Sequence, residues 1–151
     1  MDTVRITGIK HLQKKVNKLK KTPFIRPMLG EIGMFSMHSI KKRTLSGEDV
    51  HGIAFKPYSK AYSLIRKKKG FPVRPVDLTR TGSMMSSMTY DVNRVSVDIF
   101  FMNTSDPSNV QNPKKAFFLQ QEREFFALSK QDIQGIVQIV DNYYKRLINQ
   151  V

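Results

Sequence analysis

Between residues 88 and 101 the chain alternates: Met88, Tyr90 and Val92 are separated by single residues, Asn93-Arg94 interrupts, and Val95, Val97, Ile99 and Phe101 resume the pattern. A period of two collects the apolar side chains on one side of a pleated strand. The run therefore predicts a hairpin turning at Asn93-Arg94, with one buried face and a register fixed by that face.

Helical patterns flank this hairpin. After it, Ser129 and Asp132 form the start signal of a long last helix whose apolar positions Ile133, Ile136, Val137, Val140, Tyr144 and Leu147 recur at intervals of three and four. Before it, Val4 and Ile6 suit a short opening strand, and Leu12, Val16 and Leu19 mark a Lys-rich helix over residues 10–20, broken by Thr22-Pro23. Pro27 suits the first turn of a second helix, with Met28, Leu29, Ile32, Phe35, Ser36 and Ile40 on one stripe. Its end at Lys41-Lys42-Arg43 sets cations against the negative end of the helix dipole; Gly30 and Gly33 weaken its propensity. Residues 46–49 read as a loop. Pro57 and Ser59 start a helix expected to turn Ala61, Leu64 and Ile65 inward up to Lys69-Gly70. Two prolines within residues 71–75 imply an extended connection. The chain should then turn over residues 79–82 and seat Met84 and Met85; Met84, Met85 and Met88 read most simply as core fillers. Residues 103–112 should be an exposed loop and residues 115–121 a short helix. Helices, then a small antiparallel sheet with a central hairpin, then a long C-terminal helix make an α+β fold. One domain is expected over residues 1–151, with a basic helical part at 1–46 and a second part at 47–151.

A chain of 151 residues with 40% hydrophobic and 25% charged residues can bury a core of ordinary size. No apolar run reaches the roughly 20 residues of a membrane span, and the first residues lack the apolar stretch of a signal peptide. With no Cys, disulfides, thiolate chemistry and Cys-based zinc sites are excluded, as expected for a reducing cytoplasm. His11, His38 and His51 show no metal-ligand spacing, and only His51, near Glu48 and Asp49, has acidic neighbours. No nucleophile elbow or glycine-rich phosphate loop is present. A nuclease would need acidic residues converging on a metal, which Asp77, Asp91 and Asp98 achieve only if the fold gathers them. The expectation is a protein that is not an enzyme and has no catalytic, cofactor-binding or metal site.

Charge is unevenly divided. Residues 1–80 hold 19 Lys/Arg against 5 Asp/Glu, whereas residues 81–151 hold 7 of each, so the whole net charge of +14 lies in the first half. Such asymmetry suggests a polyanion or an acidic protein surface as partner, or a solvated face that keeps the subunit soluble. The six basic residues from Arg66 to Arg80, with Phe71 among them, suit a nucleic-acid backbone, although no sequence-reading motif accompanies them.

Four blocks occur in order: Gly52-Ile53-Ala54-Phe55-Lys56-Pro57-Tyr58-Ser59; Leu78-Thr79-Arg80-Thr81-Gly82-Ser83-Met84-Met85-Ser86-Ser87; the Ala116-led segment Lys115 to Gln120; and Arg123-Glu124-Phe125-Phe126-Ala127-Leu128-Ser129. Over residues 47 to 151 this series resembles the tail-completion, or virion morphogenesis, proteins of tailed bacteriophages. Phe55 stands where Trp is common in that family, Ala127 where the last block has Gly, and the first 46 residues match nothing specific. The resemblance implies a structural protein of the virion neck, made in the host cytoplasm, forming a ring that completes the tail and joins it to the head. A hexamer is the first stoichiometry it suggests. Connector or stopper proteins and tail-tube or tail-terminator proteins would be neighbours, with non-specific contact to genomic DNA in the channel. Thr81 and Gly82 would form its structural turn. Phe117, Phe118, Phe125 and Phe126 are read both as core fillers and as an apolar patch covered by a neighbouring subunit. Those four phenylalanines and Lys67, Lys68 and Lys69 are the interface candidates. The competing function is a non-specific nucleic-acid-binding protein using the basic half.

Overall fold

The computed structural model describes residues 25–105 and 109–149; the strand and helix expected before residue 21 lie outside them. The described chain is α+β: helix α1 (Ile25–Leu45), helix α2 (Lys60–Lys68), a single turn α3 (Ser83–Ser86), strands β1 (Met88–Val92) and β2 (Val97–Phe101), helix α4 (Asn112–Glu122) and helix α5 (Lys130–Asn149). Pro27 occupies the first turn of α1, where no intrahelical N–H is required. Helix α1 is central, packing against both strands of the hairpin and against α5. Met28, Leu29, Ser36 and Ile40 of its expected stripe are buried. Gly33 has a packing reason to be there, because a Cβ at this position would overlap the Tyr90 ring of β1.

The hairpin pairs Met88 with Phe101, Tyr90 with Ile99 and Val92 with Val97, which sets these six on the inner face. Its turn differs from expectation. Val95 is not in the second strand but in a four-residue turn, 74% exposed. The Asn93 N–H donates to Ser96 O at 2.9 Å and its side-chain amide to Asp98 Oδ2 at 2.5 Å. These bonds, with Phe101 held against Phe125 and Phe126 at the base, favour the wider turn over pairing Val92 with Val95.

Helix α2 begins where expected, with Ser59 Oγ accepting from the Tyr62 N–H. Its facing is corrected: Leu64 is 68% exposed, Ala61 and Ile65 are also exposed, and Arg66 is the buried residue. One helical face cannot hold positions 62, 63 and 66 and also 64 and 65, and the guanidinium prevails through bonds inside. Asn112 is a second correction. Instead of ending an exposed loop it is fully buried and begins α4, its amide donating to Ser83 Oγ at 3.0 Å and Thr104 Oγ1 at 2.9 Å.

Helix α5 carries the expected reciprocal cap: Asp132 N–H donates to Ser129 Oγ and Ser129 N–H to Asp132 Oδ2. Its inward face is rotated relative to the apolar pattern. Asp132 and Leu147 are buried, while Ile133, Val137 and Tyr144 are exposed. Two contacts with α1 set this rotation: the Asp132–Arg43 ion pair, and Gly135, where a Cβ would overlap the Phe35 ring. The core gathers Ile40, Phe55, Val76, Met84, Met85, Met88, Phe101, Ala116 and Phe125. No described helix is long and apolar enough to cross a membrane.

Candidate interaction site

Tyr58, Tyr62 and Arg66 follow one another at intervals of four, which stacks them on one side of α2 and its entry. The Arg66 guanidinium lies 4.7 Å from the Tyr58 ring centroid and 5.9 Å from those of Tyr62 and Phe71. Its Nε donates to Pro72 O at 2.7 Å, Nη1 to Thr79 O at 2.6 Å, and Nη2 meets Asp77 Oδ1 at 3.5 Å. Asp77 Oδ1 also accepts from the Thr79 N–H and the Tyr58 hydroxyl. Burial raises the Tyr58 pKa above its ordinary value, against the opposing pull of Arg66, so the phenol stays a neutral donor. This assembly ties both ends of the 72–79 connection to α2. Arg66 is thus a structural cation, and the expectation that it and Phe71 offer themselves to a polyanion is corrected. Lys67, Lys68 and Lys69 are exposed at the end of the helix.

Beyond this anchor the chain reaches Thr81-Gly82. Gly82 has φ +75°, a left-handed conformation that L side chains rarely adopt, and it precedes the α3 turn that drives Met84 and Met85 into the core. A Cβ there would meet nothing within 4 Å, so backbone conformation, not close packing, requires the glycine.

Between Tyr58 and Tyr62, the 78–85 segment and α4 lies an open cleft of about 570 Å³. Arg80, Lys115, Phe118 and Glu122 stand on its walls. Arg123, also lining it, is committed: Nε and Nη2 donate to Lys56 O at 3.3 and 3.1 Å, and Nη1 meets Glu122 at 3.1 Å. Partial burial, with the Arg80 charge beside it, lowers the Lys115 pKa from the usual lysine value. Arg80 makes no ion pair among the described residues.

The four phenylalanines divide. Phe125 is fully buried and Phe126 partly, both packed on Phe101, and both their N–H groups donate to Gln120 Oε1. Phe117 and Phe118 are 62% and 55% exposed and sit edge to face at 5.8 Å. The remaining chemical candidates separate. Asp91 faces Asp98 across the hairpin while Asp77 is held by Arg66. Asp49 accepts from the backbone N–H groups of His51 and Ile53, and the His51 ring lies 3.5 Å from Glu124 at an exposed position. Among the described residues no three His, Cys, Asp or Glu side chains form a metal-binding group.

Sequence reasoning missed Arg66, Asn112 and the Arg43–Asp132 pair. The four-residue spacing of Tyr58, Tyr62 and Arg66 was a usable signal for the first, hidden by the lysines that follow. No family model, curated protein or solved structure matches the chain.

Proposed function

We propose that this chain is a structural subunit of a tailed-phage neck, forming a ring that completes the tail and joins it to the head, and that its work is assembly, not catalysis. One observation carries the reading. Phe55, the Met84-Met85 pair after Thr81-Gly82, Ala116 and Phe125 come one set from each of the four sequence blocks and pack into a single core cluster. Blocks that resemble one family in order are thereby also the parts that hold one fold together. The exposed Phe117-Phe118 pair beside a basic cleft adds surface of the kind a neighbouring subunit covers.

The test is to disrupt the gene in a phage or prophage that carries it and image the lysate. Filled heads separate from finished tails are expected, with the chain present by mass spectrometry in wild-type particles. Joined, infectious virions without the chain would sink the reading. The nucleic-acid alternative draws on the three exposed lysines after Arg66 and is tested through its salt dependence.

A further inference from the structure

Because Arg66 turns inward, α2 presents Leu64 and Ile65 to solvent. Lys60 lies one turn before Leu64, and Lys67 and Lys68 lie one turn after it; Lys68 and Lys69 stand in the same relation to Ile65. The two apolar side chains and the four lysines therefore make one continuous surface. The helix contains no acidic residue, and none of these lysines forms an ion pair among the described residues. The face is also preformed. Ser59 caps the helix and the Arg66 anchor fixes its rotation, so little ordering is left for a partner to impose.

Negative charge can come from several kinds of partner, and the arrangement selects among them. A nucleic-acid strand would match the lysines, yet its bases stack on aromatic side chains, whereas the exposed apolar residues of α2 are aliphatic. An anionic membrane surface holds a helix through a broad apolar face with cations on the opposite side. Here that face is two large side chains, and Lys68 stands between them, one turn from each. A protein segment that alternates carboxylates with apolar side chains meets both features, since one carboxylate reaches Lys68 while its neighbours cover Leu64 and Ile65. The net charge of +14 favours an acidic partner over a second copy at this face.

We propose that the outer face of α2 docks an acidic amphipathic segment of another protein, with Leu64 and Ile65 as its apolar anchor and Lys60, Lys67, Lys68 and Lys69 as its counter-charges. The mode is helix against helix, in which apolar contacts supply the anchor and the charges fix the register. It rests on the neck reading for where that partner is met, not for the partner's chemistry.

The probe is a synthetic helical peptide with leucines at three- and four-residue intervals and glutamates beside them, titrated against the full chain. It is expected to bind about tenfold or more tightly than its Gln counterpart, the scale of close interfacial charge pairs. Leu64→Ser with Ile65→Ser should weaken it by a similar factor with every charge kept. Removing two lysines elsewhere, with Lys130→Gln and Lys145→Gln on α5, should leave it unchanged, which separates a site from net charge. A variant with Lys60, Lys67 and Lys68 changed to Glu should lose the Glu peptide and gain the Lys version, and that exchange excludes misfolding as the cause. Binding indifferent to Leu64→Ser with Ile65→Ser, or lost equally in the α5 variant, overturns the proposal. So does self-association, or binding to phosphatidylserine vesicles, that disappears in the Leu64→Ser and Ile65→Ser variant while the peptide does not bind. Such results leave the neck reading standing, whereas absence of the chain from phage particles overturns the neck reading and leaves the docking face standing.

Discussion

Arg66 shows how much one buried side chain can decide. Its guanidinium is 2% exposed, and replacing it leaves the Pro72 and Thr79 carbonyls without this donor and Asp77 without the cation that faces it. Arg66→Met is expected to destabilise the fold by about 3–5 kcal/mol, the usual penalty for breaking a buried pair from one side. Arg66→Lys should recover little of this, because an ammonium cannot span two carbonyls and a carboxylate in the plane that the fork occupies. A denaturant midpoint for Arg66→Lys close to wild type would show that charge alone suffices. Gly82→Val should cost roughly 1–3 kcal/mol through backbone strain, and Gly82→Ala most of the same, since nothing crowds the position. If Val cost much more than Ala, packing rather than φ would be the cause. Ser36 runs the other way. Its hydroxyl is buried with no hydrogen-bond partner among the described residues, so Ser36→Ala should leave stability unchanged or raise it by about 1 kcal/mol. A clear loss in that variant would reveal a partner.

The way α1 and α5 meet turns on Asp132. Burial opposes its charge, but hydrogen bonds from Ser39, the Ser129 N–H and Arg43 outweigh that cost and hold its pKa below the ordinary 3.8. A depressed folded pKa contributes stability that is fully present above the unfolded value and lost as pH falls through the folded one. The gap between wild type and Asp132→Asn in urea should therefore be widest at neutral pH and shrink below 3.8. A gap that stays constant across that range would remove Asp132 from the pH response. The same pair explains which elements were legible in the sequence. The caps at Ser59 and Ser129, the left-handed Gly82 and the alternation of the hairpin are local rules, and each element formed where these rules put it except that the hairpin turn takes Val95 out of the second strand. Which way a helix faces is not local. Helix α2 turned Arg66 inward over Leu64 and Ile65, and α5 turned Asp132 and Gly135 inward over Ile133 and Val137. In both, a charged group finds bonds from residues distant in sequence, which periodicity cannot register. The cleft was invisible for the same reason, since its walls come from α2, the 78–85 segment and α4.

At the scale of the whole molecule the question is what the positive charge is for. The excess sits in residues 1–80, yet the fold withdraws two of those cations: Arg66 into its aromatic cage and Arg43 onto Asp132. Lys67, Lys68 and Lys69 remain exposed at the end of α2, where their charge also suits the helix dipole. If the basic half were built to grip duplex DNA through about 6–10 phosphates, affinity would fall about 10³–10⁵-fold between roughly 50 and 200 mM salt. A protein whose charge serves contacts with other proteins should instead bind duplex DNA weakly at every salt concentration and without sequence preference. The second outcome is expected, because Arg66 and Phe71, the residues that made the segment look like a nucleic-acid groove, are occupied with each other. The measurement is a salt titration of duplex binding by the wild type and by a variant with Lys67, Lys68 and Lys69 changed to Gln. Tight binding that persists near physiological salt and disappears in the variant would transfer the function to nucleic acid. Weak binding by both proteins, with head–tail joining lost in phage carrying the variant, would place these lysines against an acidic surface of a neighbouring neck protein.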